Sequence, residues 1–135
     1  MYWIEQVERL IRRTLTDDET FKSYIQLRCY PGELSELSDP VYPLVCFKID
    51  PVEGNLGYVE GRVRFWIWCN DNDSRIFTIF QRLKELFHNE CIMFEDSEYS
   101  MVHIVFKIKE PIRNVLPKFG VQTLLSNSTF RGLET

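Results

Sequence analysis

The chain has 135 residues, 44% of them hydrophobic and 27% charged, with a formal net charge of −4. A chain of this size buries roughly two thirds of the surface its unfolded form exposes, so a single domain over residues 1–135 needs no staples. The composition is that of a soluble globular protein, and no run approaches the ~20 apolar residues of a membrane span.

The N-terminal MYWIEQVERLIRR carries Glu5 and Glu8 and has no apolar stretch or small-residue cleavage site, so it is not a secretion signal. Ile4, Val7, Leu10, Ile11 and Leu15 recur at helical spacing and predict a first helix from about Tyr2 to Leu15. Thr16 to Glu19 ends it and can cap a further short turn. Ser23 to Tyr30 alternates Ile25, Leu27 and Cys29 against Gln26, Arg28 and Tyr30, which predicts a strand stopped by Pro31-Gly32. An acidic loop follows to Pro40. Tyr42 to Asp50 then places Val45, Phe47 and Ile49 on one face of a second strand, with Pro43 suited to its beginning.

The clearest signal is Tyr58 to Cys69, where Val59, Gly61, Val63, Phe65, Ile67 and Cys69 alternate with Glu60, Arg62, Arg64, Trp66 and Trp68. Such a period of two marks a long half-buried strand, forming a large hairpin with the strand before it across DPVEGNLG. Asn70 to Asp73 is a cluster of cap-forming residues, and the stripe Ile76, Phe77, Ile79, Phe80, Leu83, Leu86 and Phe87 predicts a second helix to about Asn89. Tyr99 to Lys109 alternates Val102, Ile104, Phe106 and Ile108 with more polar positions, and Gly120 to Phe130 carries a weaker final strand pattern. The expected fold is α+β, in the order α-β-β-β-α-β-β, with one antiparallel-dominated sheet and both helices on one face.

Chemistry-bearing residues are sparse. Four cysteines at 29, 46, 69 and 91 are spaced by 17, 23 and 22 residues, without the close pairs a zinc site needs. They are expected as reduced thiols, three of them in strand patterns where a thiol acts as a small apolar residue. His88 ends the second helix, where partial positive charge suits the helix dipole, and His103 lies on a polar strand face. Neither belongs to a recognisable nucleophile motif. Asp50 and Glu60-Gly61-Arg62 only loosely imitate the carboxylates that hold a divalent ion over a phosphate, and the lysine of that pattern is absent. Catalytic, metal and cofactor residues are therefore not assigned, and the expectation is a protein that is not an enzyme.

Surfaces say more. With the helices on the Val63/Phe65/Ile67 side, Trp66 and Trp68 project from the uncovered face beside Arg62 and Arg64, and these four residues form a candidate subunit interface. A loop or the C-terminal segment folding over the tryptophans is the competing reading. Residues 17–60 hold nine acids against three bases, a net −6 that leaves +2 for the rest of the chain. Glu33, Glu36, Asp39, Asp50, Glu53 and Glu60 thus form a candidate acidic surface that repels nucleic acid.

The element order, the segment VYPLVCFKI, the strand RVRFWIWCND running into SRIFTIFQRLKELF, and the late strand VHIVFKIKE resemble the tail terminator and head–tail joining proteins of long-tailed bacteriophages, the minor tail protein U-like family. The resemblance covers nearly the whole chain and is one of pattern and length. It implies a virion protein, assembled in the host cytoplasm and located in the tail or neck. Such a protein forms a hexameric ring that ends the tail tube and joins it to the head connector. DNA passes through the lumen without specific binding, which suits the acidic surface. The aromatic pair Trp66 and Trp68 departs from what the resemblance accounts for. A neighbouring neck or tail-completion protein of the same fold is the alternative, and a monomeric α+β binding module or small enzyme is the alternative from another class.

Overall fold

Amphipathic stripes and strand alternation are realised as three helices packed on one mixed sheet. The computed structural model describes the backbone of residues 2–55, 58–96 and 99–134, and the side chains of residues 4–52, 58–93 and 103–132. The elements are α1 (Tyr2–Asp17), α2 (Glu19–Ile25), β1 (Cys29–Pro31), β2 (Leu44–Asn55), β3 (Tyr58–Asn70), α3 (Ile76–Phe87), β4 (Cys91–Asp96), β5 (Tyr99–Lys107), β6 (Ile112–Leu116) and β7 (Val121–Glu134). Single-turn helices at Leu34–Glu36 and Pro117–Phe119 sit in the β1–β2 and β6–β7 connections. The strand order is β1-β2-β3-β7-β5-β4, with β6 also paired to β7. Among the described strand pairs only β1 and β2 run parallel, so the α+β, antiparallel-dominated expectation holds.

The long hairpin of β2 and β3 forms as expected, with Phe47 opposite Phe65 and Val45 opposite Ile67. Every residue of β3 also pairs with β7, from Tyr58 opposite Leu133 to Asn70 opposite Val121. β7 in turn changes partner along its length. Its first five residues pair with β6, and residues from Thr129 onward pair with β5. Between these halves the chain at Lys109 leaves the ladder, and two serines replace the missing strand. Ser126 Oγ donates to the Lys109 carbonyl at 2.7 Å, and the Lys109 amide donates to Ser128 Oγ at 3.3 Å. Both serines are buried, so these bonds satisfy hydroxyls that would otherwise destabilise the core.

The predicted strand at Ser23–Tyr30 is overturned. Residues up to Ile25 form α2, and only Cys29–Pro31 is extended. The reason is local: Asp18 Oδ2 accepts from the Phe21 amide at 2.8 Å, capping a turn that buries Phe21 and Ile25 at i,i+4 spacing. Leu27, which completes the apparent alternation, is exposed. Among the described residues three helices, not two, therefore cover the face. β4 and β6 are two further strands the sequence pattern does not reveal. The side chain of Glu53, residues 56 and 57 of the hairpin connection, and the side chain of Val102 lie outside the described residues.

Packing explains why the helices settle where they do. Val7, Leu10, Ile11 and Leu15 of α1, Phe21 and Ile25 of α2, and Ile76, Ile79, Phe80, Leu83 and Phe87 of α3 meet the inner face of the sheet in one core. A chain of rings threads that core from β2 to β7: Phe47, Phe65, Phe87, Phe106 and Phe130, with neighbouring centroids 6.4, 5.8, 5.0 and 5.6 Å apart. Each such side chain contributes roughly 1.5–3 kcal/mol by burial, and edge-to-face contacts add to it. Asp18 also clasps α2 to α3, since its carboxylate accepts from Arg82 at 2.6 and 3.0 Å. Gln122 fixes the approach to α3, its side-chain amide donating to the carbonyls of Asn70 and Asp73 at 2.9 and 2.7 Å.

Candidate functional site

Strand parity divides the outer face of the sheet into a charged end and an aromatic end. Pairing across β2, β3 and β7 sets Lys48, Arg64 and Asn127 in one row, and Cys46, Trp66 and Leu125 in the next toward the aromatic end. Beyond them lie Leu44, Trp68 and Thr123. Ile112 of β6 extends the Trp66 row across the fourth strand spacing, so the apolar end reaches the sheet edge. Ile112 is 64% exposed, which leaves that end of the row open to solvent.

All four predicted interface residues lie on this face, but they are not equally open. Arg62 is exposed, while Arg64, Trp66 and Trp68 are partly buried. The tryptophans are not on a bare face, because the β1–β2 connection lies beside them. Leu44 and Cys46 share their face and are fully buried. Glu33, Leu34, Ser35 and Pro40 line a cleft of about 600 Å³ together with Trp66 and Trp68. The competing loop reading is thus partly realised: the subunit's own loop forms one wall of the cleft and leaves both tryptophans partly exposed. The Arg64 guanidinium sits 5.1 Å from the Trp66 ring centroid, which holds the cation against an aromatic face.

The five predicted acids whose side chains are described do not form one bare surface. Asp50 pairs with Arg64 at 3.2 Å and Glu33 with Lys48 at 3.9 Å. Glu60 stands directly opposite Arg131 on β7. Glu36 and Asp39 stay exposed on the loop beside the tryptophan cleft. Asp50 is therefore engaged by an arginine on the neighbouring strand, and the divalent-ion arrangement imagined for Asp50 and Glu60 is not assembled. Among the described residues no group of three or more His, Cys, Asp or Glu side chains is placed to hold a metal ion.

The remaining chemistry-bearing groups have structural surroundings. Burial pushes the Cys29 and Cys69 thiols up to about 12 and Cys46 up to about 11, Glu36 adding to the last. All three are poor nucleophiles in the fold. His88 Nδ1 accepts from the Ile108 amide at 3.0 Å and props the chain beyond β5. His103 shares a cleft of about 560 Å³ with Tyr58, Cys91, Val105, Arg131 and Gly132, on the outer face at the opposite end from the tryptophans. Among the described residues no helix is long and apolar enough to cross a membrane.

One surface element escapes the sequence reading. The Pro117–Phe119 turn between β6 and β7 holds Phe119 at 70% exposure, with Lys118 Nζ 6.0 Å from its ring. The signal is present in the sequence as an aromatic bracketed by Pro117 and Gly120, a turn where neither strand face can bury it.

No family profile and no curated protein matches this sequence. The fold does have a solved counterpart in a structure described as the virion of a native gene transfer agent (GTA) particle. The two chains superpose with a TM-score of 0.73 at 7% identity, over 98% of this chain and 99% of that one. At that identity what is shared is the fold, along the full length of both chains.

Proposed function

We propose that this chain is a structural protein of a phage-like virion, one that forms a ring ending the tail tube and joining it to the head connector. The observation that carries the reading is the end-to-end likeness of fold to a chain of the gene transfer agent virion, at a TM-score of 0.73. The outer face adds to it: an aromatic end framed by a loop is a contact surface for another subunit and not a substrate pocket. Arg62, Arg64, Trp66 and Trp68 belong to that contact. Such a protein has no catalytic task. Its net charge of −4 suits a passage through which DNA slides without being gripped, because fixed cations would hold the phosphates.

Electron microscopy of the purified protein, alone and mixed with tail tubes of the same particle, tests the reading. Sixfold rings seated at tube ends are expected. A protein that stays monomeric in sedimentation at micromolar concentration, and leaves tube ends bare, would remove it.

A further inference from the structure

We infer that the Lys118–Phe119 turn of one copy seats in the Trp66/Trp68 cleft of the next copy, giving a head-to-tail contact. The inference rests on the ring reading and names its joint. Three observations carry it. Phe119 is 70% exposed, more than any other large apolar side chain among the described residues. The cleft lined by Trp66, Trp68, Leu34 and Pro40 has a volume of about 600 Å³, room for a phenyl ring between aromatic and apolar walls. Buried aromatic anchors of this kind dominate the energetics of protein contacts.

Charge is matched in the same way. Residues 31–42, which include the cleft wall, carry three acids and no base, whereas residues 107–118, which lead into the turn, carry four bases and one acid. A cation beside an aromatic on one side therefore meets carboxylates beside aromatics on the other. Such complementarity steers the encounter and fixes which surfaces meet.

The two surfaces are distinct. At the aromatic end the sheet runs β1, β2, β3, β7, β6. The acidic connection lies on the β1–β2 side of Trp66 and Trp68, and the basic turn on the β7–β6 side. Phe119 is exposed and does not line the cleft of its own subunit. Two different surfaces that meet give a heterologous contact, which closes into a ring when the rotation permits.

Cross-linking tests the joint in the full chain. In a C91S background, which removes the exposed thiol, S35C and K118C are introduced together, so that Phe119 is kept, and the protein is oxidised mildly. A non-reducing gel is expected to show dimers, trimers and higher species, with circular dichroism unchanged. Either single cysteine is expected to stop at dimers. In parallel, K118E and E33K are each expected to weaken self-association by about tenfold, and the double variant to recover it. Rings that form while the cysteine pair gives no ladder, and while K118E has no effect, would overturn the joint and leave the ring reading standing. A wild-type protein that never assembles, with or without tail tubes, would remove the ring reading and the joint with it.

Discussion

Replacing Gly61 by alanine puts a methyl group where the structure has none to spare. A Cβ there would lie 2.6 Å from Phe130 Cζ, 2.9 Å from Cε1 and 3.0 Å from the Asp50 carbonyl. Carbon atoms pack best at about 3.5–4.0 Å, so the ring must move by roughly 1 Å. It has little room to do so. Phe130 is 2% exposed and its centroid is 5.6 Å from that of Phe106 in the ring chain. G61A should therefore cost about 1–3 kcal/mol, the range for overpacking a core. F130L alone should cost on the order of 1–2 kcal/mol and vacate the space in question. In the F130L background G61A should lose most of that cost, the 3.0 Å approach to the Asp50 carbonyl being what remains. Urea titrations followed by tryptophan fluorescence, read as a double-mutant cycle, give a coupling of about 1–3 kcal/mol on this reasoning. A coupling near zero, or a stabilising G61A in the wild-type background, would refute it.

Exchanging both Trp66 and Trp68 for serine should leave a cooperatively folding protein that no longer assembles, checked by denaturation and sedimentation; loss of folding would assign the pair to the subunit's own core. The Asp18 carboxyl is held below its ordinary 3.8 chiefly by the Arg82 hydrogen bond, with help from the Phe21 amide and against burial. Its contribution is therefore complete above that value and is lost as pH falls through the lower folded one. D18N, which keeps a capping side chain, should cost about 1 kcal/mol near neutral pH, and the difference from wild type should close below about pH 4. Denaturant midpoints across that range measure it, and a difference independent of pH would exclude the Asp18–Arg82 pair as its source. Cys91 is the exposed thiol and Cys29, Cys46 and Cys69 are buried, so a thiol reagent should modify one group promptly and three only on unfolding.

The parts of the fold legible in the sequence are those where two environments alternate. β3 could be read because Val63, Phe65 and Ile67 face helices while Arg62, Arg64 and Trp66 do not, and a slip by one residue would exchange the faces. α3 could be read from its apolar stripe. α2 could not, because Ile25, Leu27 and Cys29 imitate a strand, and only the Asp18 cap with Phe21 and Ile25 separates helix from alternation. β6 lies at an edge with both faces open, so Ile112 and Val115 leave no periodic record. The tryptophan face was legible as an aromatic surface. The loop along it was not, since nothing in Glu33 to Pro40 encodes where a connection between parallel strands must cross.

β7 is the sheet's central strand and also the last of these elements in chain order. During synthesis β1, β2 and β3 can pair, as can β4 and β5, but the two groups have no common partner until β7 emerges. Long-range pairing of this kind comes late and leaves strand edges unpaired in the interval. β6 has β7 as its partner in the sheet, so the Lys118–Phe119 turn takes shape with that final strand. Translation thus orders the events. A nascent subunit has no finished turn to offer a neighbour, and competence to join a ring arrives in the step that completes the fold.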